Sequence, residues 1–170
     1  WDMGNRVLRN LLGETHISVI EAPKNTIIVA HDLPPSEAAL VNPEEILGIA
    51  TEIGGITSHT AIMAKALEIP AVLGISGLLS KIREGELAIL DGERGLLIKN
   101  PREHRIKSYR QEIGKLEEHK KSLAPISLLP AKTKDGKYTE ISANIEFLSE
   151  VSSALHYGAE GIGLFRTEFI

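Results

Sequence analysis

A layered α/β fold, followed by a long exposed helix and the opening of a second α/β domain, is what this sequence predicts. Three observations predict it. Residues 17–99 alternate short Ile-, Val- and Leu-rich runs with helical patterns, separated by turn residues. Residues 101–123 switch to a charged stretch with an apolar line at Ile106, Tyr109, Ile113, Leu116 and Leu123, whose steps of three, four, three and seven are a coiled-coil rhythm. From Ala124 onward a strand, a helix and a second strand return at βαβ spacing.

Taken in order, residues 1–12 place Met3, Val7, Leu8, Leu11 and Leu12 at helical spacing, with Gly13 as the stop. Strands are expected at Thr26–Ala30, Ile46–Ala50, Ala71–Leu73, Glu86–Leu90 and Gly95–Ile98. Pro34-Pro35-Ser36 opens a short helix that runs to about Val41 and ends before Pro43. Ser58–Glu68 is the clearest helix, closed before Pro70, and a short one is expected over Leu78–Ile82. Pro101 suits the start of the long helix and Pro125 its stop, while Gly114 weakens it by about 1 kcal/mol. Tyr138–Ile145 and Gly161–Phe165 are the later strands, with a helix over Ser149–Tyr157 between them. One βαβ unit cannot bury its own sheet, so it is expected to open a larger parallel domain.

Composition excludes several classes. Among 170 residues, 42% are hydrophobic, 25% charged and none is cysteine, which rules out a disordered chain, a disulfide scaffold, thiolate metal sites and cysteine catalysis. A formal charge of −4 argues against nucleic acid as a partner, and the seven basic residues of the 101–123 stretch are interleaved with four acidic ones. No run of about 18 apolar residues exists and no signal peptide is visible, so no membrane partner and a cytoplasmic location are expected. The ends, Trp1-Asp2-Met3 and Gly161–Ile170, suggest a piece of a longer protein.

The segment richest in chemistry is Gly54-Gly55-Ile56-Thr57-Ser58-His59-Thr60-Ala61-Ile62-Met63-Ala64. Gly54 and Gly55 permit a tight turn or a close backbone approach, and Ser58 or Thr57 can cap the helix. His59 then falls in the first helical turn, where orphan N–H groups favour negative charge. That environment suits an imidazole that carries a phosphoryl group, with the Thr57 hydroxyl as a further donor. A surface or capping histidine is the plainer reading of the same residues. The segment lacks the lysine of a P-loop and the pattern of a nucleophile elbow. Glu52, Glu68 or Asp91 could orient His59; the spacing does not choose among them. Six scattered histidines give no metal cage, so no metal site is expected in this stretch.

The same segment resembles the phosphohistidine signature of the phosphoenolpyruvate-utilising enzymes, which include enzyme I of the sugar phosphotransferase system, pyruvate phosphate dikinase and phosphoenolpyruvate synthase. Other segments are similar to enzyme I: residues 2–13, Ala30-His31-Asp32-Leu33-Pro34-Pro35-Ser36, Ile69-Pro70-Ala71-Val72, Asn144-Ile145 and Gly158–Phe169. The resemblance implies a division into 1–13, the end of a carrier-binding-domain helix; 14–100, a phosphohistidine swivelling β/β/α domain; 101–123, a linker helix; and 124–170, the start of a TIM-type barrel that binds phosphoenolpyruvate.

It also implies roles. His59 would accept a phosphoryl group from phosphoenolpyruvate at Nε2 and pass it to a histidine of the carrier protein HPr, with Thr57 beside the imidazole and Gly54, Gly55 and Ser58 shaping the loop. Arg166 would contact the phosphate of phosphoenolpyruvate, with Asn144 near the same cleft; an ion pair with Glu168 is the plainer reading of Arg166. Mg²⁺ would act in the full-length enzyme, held by ligands outside this chain, and a homodimer would form through the rest of the barrel. The piece alone is expected to be monomeric and inactive with phosphoenolpyruvate. Many enzyme I sequences carry arginine at the positions of Ile56 and Lys65, which leaves room for a nitrogen-related or dihydroxyacetone-kinase-linked paralogue, or for the dikinase and synthase branch.

Overall fold

The computed structural model describes residues 22–148 and 150–166; the helix expected over residues 1–12, its stop at Gly13, and the segment from Thr167 to Ile170 lie outside the described residues. The chain divides into two compact units, the first ending at Pro101 and the second beginning at Arg102.

The first unit is built on a parallel sheet of β1 (Thr26–Ala30), β2 (Ile46–Thr51) and β3 (Ala71–Val72), in that order. β2 lies in the middle, and Ile49, Ala50 and Thr51 are fully buried. An apolar run buried on both faces is what a central parallel strand requires. The β1–β2 register slips between Thr26↔Ile46 and Ile27↔Gly48, so Leu47 is an extra residue and stays exposed. That bulge brings Ile46 and Ile49 to one face, where they join Leu33, Ala38, Val41 and Ala64 in the core.

Two helices cover that core. α1 (Pro35–Ala38) is a single turn that contributes Ala38, and α2 (His59–Ala66) packs through Met63 and Ala64, with Leu67 just beyond its end. α1 stops short of the expected Val41, and the chain reaches Val41 through turns closed by Glu37 and Ala38 carbonyls. α3 (Leu78–Lys81) follows β3. The antiparallel hairpin of β4 (Ala88–Asp91) and β5 (Leu96–Lys99) packs against Gly48: a Cβ there would lie 2.4 Å from the Leu90 side chain and 2.9 Å from the Pro70 carbonyl oxygen. β4 begins two residues later than expected because the Glu86 carboxylate is drawn into the preceding turn, accepting the Arg83 N–H at 2.8 Å.

The second unit opens with α4 (Glu103–Leu123), which has no buried residue; Ile113, Leu116 and Leu123 of its apolar line are all exposed. A parallel pair, β6 (Ser142–Ile145) and β7 (Gly161–Phe165), is connected by α5 (Glu150–His156). This is the βαβ pattern read from the sequence, with a shorter first strand. Tyr138 does not join β6; it forms an isolated antiparallel bridge with Lys132 around the Thr133–Lys137 turn. Gly158 ends the connection from α5 at φ 88°, where an added Cβ would meet the Ser127 carbonyl oxygen at 2.3 Å. Ile145 is the one buried apolar side chain among the described residues of this unit, and Leu148, Leu155, Ile162 and Leu164 are exposed.

Candidate functional site

The C-terminal ends of parallel strands leave their last carbonyls to the loops that follow, and here those loops are tied together. The Ala30 carbonyl accepts the Glu52 N–H at 3.1 Å, the His31 carbonyl accepts the Ile53 N–H at 3.0 Å, and the Thr51 carbonyl accepts the Ile75 N–H at 2.9 Å. Gly54 then turns the chain at φ 115°, a conformation that a side chain would strain. Its carbonyl oxygen lies 3.2 Å from where a Cβ on Gly74 would stand, so the two loops run in close contact. At Gly55 the φ is not left-handed, and a Cβ there would meet nothing within 4 Å.

The Ser58 N–H donates to the Gly55 carbonyl at 2.9 Å and closes the turn. Of the two expected caps, Ser58 is the one used: its Oγ accepts the Ala61 N–H at 3.3 Å and its carbonyl accepts the Ile62 N–H at 3.1 Å. His59 is therefore the first residue of α2, exposed, with exposed Thr57 two residues before it. Ile56, 96% exposed, stands at the tip of the turn, so the loop carries an apolar and not a cationic residue there.

Two contacts around this loop escaped the sequence reading. Thr60 is buried, and its hydroxyl donates to the Leu33 carbonyl at 3.0 Å, which pins the first turn of α2 to the loop after β1. Its signal was the i, i+4 pair Thr60–Ala64 on the buried side of the helix. His31 Nδ1 lies 2.7 Å from Glu52 Oε2, and Glu52 Oε1 accepts the Leu79 N–H at 3.1 Å. The bond from His31, then that from Leu79, holds the Glu52 carboxyl below the ordinary carboxylate range. Of the carboxylates considered as orienters of His59, Glu52 thus serves His31 and α3, and Asp91 holds Arg94 with two bonds of 2.9 Å.

Asn144 and Arg166 belong to the second unit. Asn144 is exposed on β6, its Oδ1 3.2 Å from where a Cβ on Gly163 would stand. Arg166 immediately follows β7, with its N–H on the Ile145 carbonyl at 3.1 Å. Its guanidinium pairs with Glu146 at 2.8 Å; Glu168 lies outside the described residues. Among the described residues, no three His, Asp or Glu side chains converge to hold a metal ion. Nor is any helix among them long and apolar enough to cross a membrane.

Comparison with known families decides the lineage. The PEP-utilising enzyme mobile domain matches residues 22–95, and the PEP-utilising enzyme PEP-binding domain matches residues 120–170. The chain belongs to the phosphoenolpyruvate-utilising enzymes. Within that family, the phosphoenolpyruvate-protein phosphotransferase of Haemophilus influenzae is 40% identical over 169 residues, 99% of this chain and 29% of that relative. The protein of the same name from Geobacillus stearothermophilus is 41% identical over the same length, and that from Staphylococcus aureus is 37% identical. The chain thus spans 29% to 30% of the length of those relatives. A solution structure of Enzyme I superimposes with a TM-score of 0.63 and 42% identity, covering 68% of this chain and 47% of that one.

Proposed function

We propose that this chain is the phosphoryl-carrying part of an enzyme that transfers phosphate from phosphoenolpyruvate to His59 and on to a histidine of the carrier protein HPr, the first step of cytoplasmic sugar phosphotransfer. The observation that carries this reading is the placement of His59, exposed on the first residue of a Ser58-capped helix beside Thr57. A neutral imidazole nitrogen attacks phosphorus, the new N–P bond forms as the bond to the enol oxygen breaks, and the enolate takes a proton on carbon to leave as pyruvate. In the second half the N–P bond breaks as the carrier's histidine bonds to phosphorus. The N-terminal N–H groups of α2 and the Thr57 hydroxyl meet the phosphoryl oxygens. Gly54 holds the turn, and Gly55, bare of side chain, leaves room for the phosphoryl group to approach.

Arg166 holds the phosphate of phosphoenolpyruvate through charge-assisted bonds, with Asn144 near the same cleft. Residues 14–100 act as the swivelling domain, 101–123 as the linker and 124–170 as the first part of the barrel, whose remainder supplies Mg²⁺ ligands and the dimer contact. The metal would neutralise charge on the transferring group. A ping-pong scheme requires that the first half-reaction run without the carrier. The test is exchange of labelled pyruvate into phosphoenolpyruvate by the full-length protein with Mg²⁺ and no HPr. Exchange is expected; its absence in a protein that still phosphorylates HPr would rule the scheme out.

A further inference from the structure

We propose that Glu146 is a positioning residue for Arg166, holding the guanidinium so that one of its edges stays open for a phosphate; this rests on the reading of Arg166 as the phosphate contact. Both residues spring from fixed backbone. The Glu150 carboxylate accepts the Glu146 N–H at 2.7 Å and the Phe147 N–H at 2.8 Å, which sets the turn leaving β6. The Arg166 N–H is held by the Ile145 carbonyl at 3.1 Å, which sets the exit from β7. Between these two anchors Arg166 Nη1 donates to Glu146 Oε1 at 2.8 Å.

The geometry separates two roles that Glu146 could have. A carboxylate that stood in for substrate would take the paired Nε and Nη2 donors, the edge that binds an oxyanion with two parallel bonds. Glu146 takes Nη1 and not the Nε–Nη2 pair. An arginine side chain that is 54% exposed would otherwise sample many rotamers, and holding it beforehand reduces what phosphate binding must order. The carboxylate is itself only 27% exposed, so it is the better fixed of the two.

A double-mutant cycle in the full-length protein tests this, with KM for phosphoenolpyruvate as the readout. Arg166→Ala is expected to raise KM more than about 30-fold. Glu146→Ala is expected to raise it about 5-fold, and Glu146→Gln, which keeps an acceptor oxygen, about 2-fold. The Glu146→Ala/Arg166→Ala pair should be no worse than Arg166→Ala alone. Reverse labelling of His59 by phosphorylated HPr, measured in every variant, shows that the fold is intact; if Glu146→Ala loses it, Glu146→Gln carries the comparison. An unchanged or lowered KM in the Glu146 variant, or additive effects in the pair, overturns the inference and leaves the reading of Arg166 standing. An unchanged KM in Arg166→Ala overturns that reading, and the inference with it.

Discussion

Thr60 sits next to His59 in the chain, yet the two side chains do opposite things: one is buried and anchors the helix, the other is exposed. Replacing Thr60 by Val leaves the buried Leu33 carbonyl without its donor, which costs about 1–3 kcal/mol. Thr60→Ser keeps the donor and should recover most of that loss. Urea unfolding of the three proteins checks the order, and equal stability of the Val variant and the parent would contradict it. Glu52 gives a prediction in pH. Its folded pKa lies below the ordinary value of 4.5, so its contribution is complete above that value and disappears as pH falls through the lower, folded pKa. Glu52→Gln should therefore lose stability at pH 7 and lose less than the parent on acidification to about pH 3. Parallel curves for the two proteins in urea at both pH values would refute this. The sequence motif marked His59, Thr57 and the cap. It did not mark the His31–Glu52 pair, because two residues from different strand ends meet only once the parallel register is set.

At the scale of elements, apolar runs and turn residues located the strands well; β1 and β7 have the expected bounds. What periodicity missed has local causes. The bulge at Leu47 is invisible in a run of apolar residues, since either register keeps the pattern apolar. The late start of β4 comes from a side chain, Glu86, whose carboxylate accepts the Arg83 N–H in the turn. Tyr138 looks like a strand residue by type but is claimed by the Thr133–Lys137 turn. Gly158 is the element-scale residue whose replacement should matter most in the second unit. Gly158→Ala adds a Cβ at φ 88° and 2.3 Å from the Ser127 carbonyl oxygen, so α5 and β7 must shift. A cost of about 2 kcal/mol or more is expected from thermal unfolding, whereas Gly136→Ala, at φ 85° with nothing within 4 Å, should cost about 1 kcal/mol. Equal costs would show that the close approach to Ser127 is unimportant.

For the molecule as a whole, the two units differ in how completely they bury their apolar surface. The first has a continuous core around β2, whereas the second leaves Ile162 and Leu164 of its two-stranded sheet exposed, with Leu155 of α5 and Leu148 of the turn before it. That asymmetry was legible in the sequence as one complete α/β pattern followed by a single βαβ unit. The proposed chemistry divides along the same line, with the phosphoryl-accepting histidine in the first unit and the phosphate-binding arginine in the second. All of it depends on His59 carrying the phosphoryl group. Phosphorus NMR of the full-length protein after incubation with phosphoenolpyruvate and Mg²⁺ tests it directly, with His59→Ala as the comparison. An acid-labile phosphohistidine signal, substituted at Nε2, is expected in the parent and not in the variant; the same signal in the variant, or none in the parent while HPr is still phosphorylated, would rule His59 out.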